Sequence, residues 1–172
     1  MIPRGAAIAA VIAAVALLMW ANWPPRPLPE GAEADRVVVV KSARELVLLS
    51  GDTVLARYRI SLGGQPVGDK EREGDERTPE GFYRLDYRKS DSSFHRSLHI
   101  SYPDDKDRRL AALAGRDPGG LIMVHGLPNW APFAGRLHRL VDWTNGCIAV
   151  TNREIEQIWA AVDDGTEIEI LP

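Results

Sequence analysis

Short β-prone runs separated by turn signals constrain the fold of this chain more than any other feature. The runs are rich in β-branched and aliphatic residues, and some alternate apolar with polar positions, as strands with one wet face do. They cover residues 37–40, 44–49, 54–61, 82–87, 98–102, 121–124 and 166–171, and within this part of the chain helices are predicted only at 104–114 and 152–162. Asp104 is placed to cap the first helix, and Thr151 with Glu154 has the spacing of a capping box for the second. We therefore predict a mostly β fold, a sandwich or an irregular barrel, with two or so short helices.

Composition limits the chain to one ordinary globular domain outside its N-terminus. The chain has 172 residues, of which 45% are hydrophobic and 26% are charged, and its formal net charge is −3. A domain of that length buries about two-thirds of its unfolded surface, so a core forms without disulfides. Lysine and arginine are scattered, which argues against nucleic-acid binding. The single cysteine, Cys147, excludes an intramolecular disulfide and a multi-cysteine metal site.

Residues 1–23 have the composition of a membrane anchor or an export signal. An apolar run covers residues 6–20, and no pair of small residues stands where a signal peptidase would cut near its end. We favour an uncleaved inner-membrane anchor, with Trp20 and Trp23 at the interface, over a buried helix of the domain. A proline-rich linker, 24–36, then leads to the folded domain, 37–172. An anchor or a signal would place that domain outside the cytoplasm, where an unpaired thiol is unusual.

A thiol and an imidazole stand at the ends of two predicted strands. Cys147 follows Asn145-Gly146 and precedes an apolar run, and the upstream run 121–124 ends in His125-Gly126. A cysteine attacks an acyl carbon as the thiolate, so it needs a neighbouring base, which His125 would supply if the strand ends lie side by side. Gly126 and Gly146 would keep the approach open, and the amides of Gly146 and Cys147 would form an oxyanion site.

Three alternatives compete with a cysteine nucleophile. Cys147 could be a buried core residue, but a plain core strand has no use for Asn145-Gly146 directly before it. No cysteine pair and no cluster of cysteines with histidines stands at zinc-ligand spacing, so no metal or other cofactor is expected. A papain-like enzyme is disfavoured because its cysteine precedes its histidine.

The remaining histidines and one charged segment receive simpler interpretations. His95 and His138 stand in polar surroundings and are predicted at the surface. His99 lies on a predicted strand, either as a half-buried histidine or as a residue of the cleft. Segment 68–81 is almost wholly polar, with nine charged residues, and we interpret it mainly as a solvated loop.

With these residues identified, the domain resembles the L,D-transpeptidase catalytic domain (YkuD-type) family of bacterial cell-wall enzymes. The family pattern is a histidine-glycine followed, on the next strand, by Ser/Thr-x-Gly-Cys, here His125-Gly126 and Thr144-Asn145-Gly146-Cys147. Further segments resemble the proteobacterial branch of murein transpeptidase-related proteins: Gly68-Asp69-Lys70, Gly74-Asp75, Arg77-Thr78-Pro79-Glu80-Gly81 and His99-Ile100-Ser101-Tyr102-Pro103.

The resemblance implies a mostly β fold with the cysteine and histidine beneath a flap, a periplasmic location and peptidoglycan stem peptides as substrate. It implies that Cys147 forms a thioester with the donor peptide while His125 takes and returns the proton. The backbone carbonyl of Gly126 would be the third member of the site. Thr144, Asn145 and Gly146 would support the oxyanion, and His99 and Tyr102 are candidate substrate-binding residues.

Two departures from the family pattern leave the acyl acceptor open. Many members carry histidine where this chain has Asn145, and arginine, which could hold a substrate carboxylate, where it has Ala149. The acceptor could be a second stem peptide, a free D-amino acid, the lysine of a wall-linked lipoprotein, or water. With water the enzyme would be an L,D-carboxypeptidase or an amidase that releases a linked protein. A catalytically silent wall-binding module is a further hypothesis, and the presence of both Cys147 and His125 argues against it.

Overall fold

The computed structural model describes residues 3–172, whose eight strands form a single mixed sheet. The strands lie in the order β3-β2-β1-β8-β4-β5-β6-β7. The elements in chain order are α1 (Arg4–Ala21), β1 (Ala34–Val40), β2 (Glu45–Ser50), β3 (Thr53–Arg59), β4 (Gly81–Ser92), β5 (His95–Ile100), α2 (Asp105–Leu113), β6 (Met123–His125), a 3₁₀ helix (Pro132–Leu140), β7 (Ile148–Ala149), α3 (Asn152–Ala161) and β8 (Val162–Leu171). The predicted mostly β class is confirmed, and the sheet takes the form of a curled half-barrel.

Alternation along the central strands separates a buried face from the face that carries the site. Leu98 of β5 pairs with Val124 of β6, which pairs with Ile148 of β7, and all three side chains are fully buried in the core. The next row, Ser97 and His125, points to the opposite face because successive side chains of a strand alternate. One register thus fixes both the packing of these strands and the direction of the imidazole.

Both predicted helices begin at the predicted caps. The Asp104 carboxylate accepts a hydrogen bond from the Asp107 amide at 2.8 Å, and Thr151 with Glu154 forms the reciprocal capping box of α3. Ile155 and Ile158 on α3 are fully buried among the core residues. Helix α3 is therefore held against the sheet directly after β7.

The charged segment 68–81 is only partly the solvated loop that we expected, because Glu71, Arg72, Glu73 and Glu76 are exposed whereas Lys70 is buried. The Lys70 ammonium lies 2.7 Å from the Asp75 carboxylate, and their side chains are only 3% and 8% exposed. The ammonium of Lys41 donates to the carbonyl oxygens of Gly68 and Thr78 and to the Glu80 carboxylate. Sequence composition could not reveal this because opposite charges that pair in a fold look the same as solvated charges.

The N-terminal segments contact the domain. The side-chain amide of Asn22 donates to the Phe133 carbonyl at 2.9 Å, Leu28 packs on the core, and Gln157 donates to the Arg26 carbonyl. The proline-rich segment is thus seated on the domain rather than held away from it, and β1 begins at Ala34 rather than at Val37. Within residues 3–172, no helix combines the length and apolarity needed to cross a bilayer.

Candidate active site

The thiol and the imidazole are brought together by the parallel pairing of β6 and β7. Val124 pairs with Ile148 and His125 with Ala149, and Cys147 directly precedes β7. Cys147 and His125 therefore lie on the same face of the sheet, since Cys147 and Ala149 are two positions apart. This is the juxtaposition that the sequence predicted.

Both groups line one cavity of about 410 Å³. Its walls come from the β4–β5 hairpin, the segment before β6 and the segment before β7, including Lys89, Phe94, Leu121, Trp143, Thr144 and Asn145. His125 is buried, Cys147 is half-buried and Asn145 is exposed at the mouth. A substrate can therefore reach the sulfur while most of the imidazole is shielded from water.

One hydrogen bond and two aromatic rings fix the imidazole of His125. Its Nδ1 atom lies 2.7 Å from the Gly126 carbonyl oxygen, which can only accept, so Nδ1 carries the proton and Nε2 is the basic nitrogen. The rings of Phe94 and Trp143 lie with their centroids 4.5 Å and 5.8 Å from the imidazole. Burial lowers the pKa of His125 to about 4, and the bond to Gly126 offsets only part of this effect.

Gly126 has no room for a side chain. A Cβ there would lie 2.7 Å from the Asn152 side-chain oxygen and 3.1 Å from the Phe94 carbonyl oxygen. The backbone therefore passes closely between α3 and the β4–β5 hairpin. This passage fixes the position of the Gly126 carbonyl, which orients His125. The predicted role of the Gly126 carbonyl agrees with this geometry.

The Cys147 thiol is neutral at rest. Its sulfur lies 3.7 Å from the carbonyl oxygen of Leu121, to which it can donate. Burial raises the pKa of the thiol, while the Met123 backbone amide and the charge of Lys70 oppose that rise. Because the pKa of His125 is lowered at the same time, a neutral thiol beside a neutral imidazole is favoured over an ion pair.

The loop before the sulfur is built around Thr144 and Gly146. The Thr144 hydroxyl donates to the Cys147 carbonyl at 2.7 Å and accepts from the Gly146 amide at 3.2 Å. Gly146 has φ +120, and a Cβ on it would lie 2.6 Å from the Arg77 carbonyl oxygen, so only glycine fits. The Gly146 amide is bonded to the Thr144 hydroxyl in this conformation, and its role in binding the oxyanion stays a prediction. A role for the Cys147 amide stays a prediction.

The β4–β5 hairpin covers the imidazole and is secured by a residue that the sequence did not single out. Asn129 accepts from the His95 amide at 2.9 Å, and its side-chain amide donates to the Ser92 carbonyl at 2.9 Å. Its own backbone amide donates to the Ser93 carbonyl at 3.0 Å. These three bonds hold the tip that carries Phe94 against His125.

The two candidate substrate-binding residues lie outside the cavity lining. Tyr102 is buried in the core, where its hydroxyl donates to the Pro118 carbonyl at 3.1 Å. His99 shares the face of His125, but its Nδ1 lies 2.6 Å from the Asp86 carboxylate and its ring stacks on Tyr87. Substrate binding by these two residues stays a prediction.

His138 is not at the surface as predicted. It is only 9% exposed, its Nδ1 accepts from the Trp143 indole N–H at 3.4 Å, and its Nε2 has no hydrogen-bond partner among the described residues. Burial, aided by the charges of Arg139 and His125, lowers its pKa to about 3. His95, by contrast, is half-buried and pairs with Glu156. The sequence missed His138 because its burial depends on Ser61 and Trp143, which lie in other segments of the chain.

Ala149 stands at the position where many family members carry arginine, and its surroundings leave little space. Its side chain is fully buried, and its backbone exchanges two hydrogen bonds with Ser61, at 2.9 and 3.0 Å. The Ser61 hydroxyl in turn lies 3.2 Å from Nδ1 of His138. Within residues 3–172, no three potential metal ligands converge here or elsewhere.

Comparison with known proteins identifies the family. A sequence model of the YkuD family, described as the L,D-transpeptidase catalytic domain, matches residues 34–170. The chain belongs to this family. YafK of Escherichia coli (strain K12), whose name assigns it provisionally to the L,D-transpeptidases, is 30% identical over 112 residues. That match covers 63% of this chain and 37% of YafK.

Solved structures share the fold of this YkuD domain at low sequence identity. Pgp2, the helical cell shape determining protein of Campylobacter jejuni, superposes with a TM-score of 0.61 at 23% identity, over 89% of this chain and 53% of Pgp2. The L,D-transpeptidase from Mycobacterium smegmatis gives a TM-score of 0.53 at 16% identity, over 83% and 60%. The chain thus spans just over a third of YafK and about half of Pgp2.

Proposed function

We propose that this protein is a cysteine L,D-transpeptidase that acts on peptidoglycan stem peptides through a thioester at Cys147. The observation that carries the proposal is the shared cavity of Cys147 and His125, in which the Gly126 carbonyl leaves Nε2 of the imidazole as the free base. Membership of the YkuD family supplies the reaction class. Nothing in the proposal requires a cofactor.

In the acylation step, the Cys147 sulfur attacks the carbonyl carbon of an L-centre that is joined to a D-amino acid. Nε2 of His125 takes the thiol proton as the sulfur–carbon bond forms, so the thiolate exists only during attack. The carbon–nitrogen bond then breaks, and the same nitrogen returns the proton to the leaving amine. The products are the thioester and a free D-amino acid.

In the transfer step, an acceptor amine attacks the thioester carbonyl. His125 removes a proton from that amine, the new carbon–nitrogen bond forms, and the sulfur leaves and is reprotonated. The acceptor can be a second stem peptide, a free D-amino acid or the lysine of a wall-linked lipoprotein, since each offers an amine. Water in the same position gives the hydrolytic reaction instead.

We also propose that the domain works outside the cytoplasm, in the periplasm, delivered by its N-terminal segment. Helix α1 exposes large apolar side chains along most of its length, among them Ile8, Val15, Met19 and Trp20. Such a surface is unusual in water and is typical of a segment that meets a membrane. A fusion of the full chain to alkaline phosphatase, which is active only after export, tests this location, and an inactive but well-expressed fusion would contradict it.

The reaction is tested by incubating the full chain with a defined disaccharide-tetrapeptide and separating the products by mass. Cross-linked dimers, or products that contain an added D-amino acid, support transfer. Tripeptide alone would replace the transferase with a hydrolase that uses the same site. Products equal in amount for the wild type and Cys147→Ala would overturn the proposal.

A further inference from the structure

The cavity wall carries one side chain whose charge the proposed reaction does not use. Lys89 lies on β4 and pairs with Ser97 of β5, which pairs in turn with His125 of β6. The three residues therefore form a row across neighbouring strands on the face that holds the site. With about 4.8 Å between adjacent strands, the flexible stem of Lys89 begins about 10 Å from the backbone of His125.

Lys89 is the one lysine or arginine among the described residues that line this cavity, and no Asp or Glu among them lines it. Two of the other three lysines are committed elsewhere, since Lys41 pairs with Glu80 and Lys70 with Asp75. For Lys89, no carboxylate of the described chain lies within 4.0 Å of the ammonium. The cavity therefore presents an unneutralised positive charge.

The position of the Lys89 ammonium relative to Cys147 and His125 indicates which group of the substrate it contacts. His125 must return a proton to the leaving amine, so the leaving D-amino acid lies on the His125 side of the sulfur. Lys89 lies further in that direction, two strands beyond β6. The terminal D-amino acid of a tetrapeptide carries a free carboxylate close to the bond that is cut.

We propose that Lys89 is a specificity-determining residue that binds the terminal carboxylate of the D-amino acid next to the scissile bond. The assignment rests on the proposed function, because it assumes a stem peptide in this cavity.

The same contact favours transfer over hydrolysis. An acceptor that carries a carboxylate on its amine-bearing carbon, such as a free D-amino acid, enters where the leaving group departed. Lys89 would hold that carboxylate and align the amine with the thioester. Water has no carboxylate, so its attack does not depend on Lys89.

Binding to the inactive full chain tests the proposal without requiring turnover. Affinities of Cys147→Ala and of Cys147→Ala combined with Lys89→Met are measured by calorimetry for a tetrapeptide acid and for its C-terminal amide. We expect Lys89→Met to weaken binding of the acid about ten- to hundredfold, the range for a hydrogen bond to a charged group, and to leave the amide within about twofold. Lys89→Arg should retain most of the affinity for the acid. The control is Lys106→Met, an exposed lysine on α2, which should change neither ligand.

The outcomes separate this inference from the proposed function. Equal effects of Lys89→Met on acid and amide, or no effect on either, would overturn the role of Lys89. A loss of affinity for the acid alone would uphold the role of Lys89. If the chain that retains Cys147 then formed no thioester, that result would contradict only the proposed function. In the active chain, Lys89→Met should also raise the ratio of tripeptide to D-amino-acid-exchanged product.

Discussion

The Nδ1 atom of His125 lies 2.7 Å from the carbonyl oxygen of Gly126, the next residue in the chain. A backbone carbonyl can only accept, so this contact settles which nitrogen carries the proton. An amide carbonyl holds the ring without contributing a full negative charge, unlike a carboxylate. The imidazole is therefore oriented for proton transfer without being made strongly basic, in line with a pKa lowered to about 4 by burial.

Replacing His125 should suppress acylation much more than it affects the fold. We expect His125→Ala to lower the rate of D-amino-acid release about 10²–10⁴-fold, the usual contribution of a positioned general base. Release is measured with a coupled D-amino-acid oxidase assay. His95→Ala is the matched control, because His95 pairs with Glu156 outside the cavity. A His125→Ala rate within threefold of the wild type would contradict the role of the imidazole.

The neutral resting state predicts how Cys147 reacts with a simple alkylating agent. Burial raises the pKa of the thiol and lowers that of His125, so thiolate forms only at alkaline pH in the ligand-free protein. We expect the rate of iodoacetamide labelling at Cys147, followed by mass spectrometry, to rise with a midpoint above the ordinary cysteine range. A rise in labelling between pH 4 and 7 would instead reveal a thiolate–imidazolium pair.

Gly146 is the position in the loop before Cys147 where a single added methyl group should destabilise the fold most. Its φ of +120 strains any other residue, and the new Cβ would lie 2.6 Å from the Arg77 carbonyl oxygen. We expect Gly146→Ala to lower the free energy of unfolding by about 3 kcal/mol, which combines backbone strain with overpacking. Urea denaturation measures this loss.

Gly165→Ala is the control for backbone strain alone. Gly165 has φ +95 and nothing within 4 Å of its added Cβ. Gly165→Ala should lower the free energy of unfolding by about 1–2 kcal/mol. Equal losses at Gly146 and Gly165 would show that the contact with Arg77 contributes nothing.

Asn129 should control the mobility of the hairpin tip above the imidazole. Asn129→Ala removes the acceptor of the His95 amide and the donor to the Ser92 carbonyl. We expect hydrogen exchange of the His95 amide to accelerate about tenfold, with the Gly126 amide, bonded to the Arg96 carbonyl, as an internal reference that stays unchanged. Unchanged exchange at His95 would mean that Asn129 does not secure the hairpin.

Acid should destabilise this protein partly through its buried histidines. His138 has its pKa lowered to about 3 in the folded protein, whereas the unfolded chain protonates near the ordinary value of 6.5. Between these two pKa values the unfolded state binds more protons than the folded state. The contribution of His138 to the free energy of unfolding is therefore fully present above pH 6.5 and is lost as the pH drops towards the pKa in the folded protein. His125 contributes in the same direction down to about pH 4.

His138→Asn isolates this contribution. The asparagine oxygen takes the place of Nδ1 and can still accept from the Trp143 indole N–H, but the amide does not titrate. From pH 6.5 to 4, the wild type should lose up to about 3 kcal/mol more than the variant, at about 1.4 kcal/mol per pH unit. Chemical denaturation at several pH values measures the difference. Equal losses of unfolding free energy in the wild type and the variant would contradict the prediction.

The sequence predicted those features that depend on local pattern. Alternation and β-branched runs placed the strands, the spacing of Thr151 and Glu154 placed the start of α3, and two strand ends suggested the pairing of Cys147 with His125. These predictions hold because each depends on residues that are close in the chain, and their local preference agrees with the final fold. The predicted mostly β fold and the family are confirmed for the same reason.

The features that the sequence missed depend on long-range packing. His138 lies against Trp143 and Ser61, and the Tyr102 hydroxyl donates to the Pro118 carbonyl. The strand that the sequence predicted ends at Tyr87, whereas β4 continues to Ser92. Lys89 lies in this extension and therefore reaches the cavity. No local signal marks these positions, since each is fixed by another strand or loop.

The most direct test of a thioester at Cys147 is the intact mass of the full chain after brief exposure to an excess of tetrapeptide. We predict a mass increase equal to the acyl tripeptide on Cys147, located by peptide mapping. About one equivalent of D-alanine should be released with it, and the adduct should disappear when a D-amino acid is added. Cys147→Ser, which keeps the shape of the side chain, should release little D-alanine and form no thioester. An unmodified mass with no release of D-alanine, from a chain whose Cys147 remains open to alkylation, would contradict the mechanism.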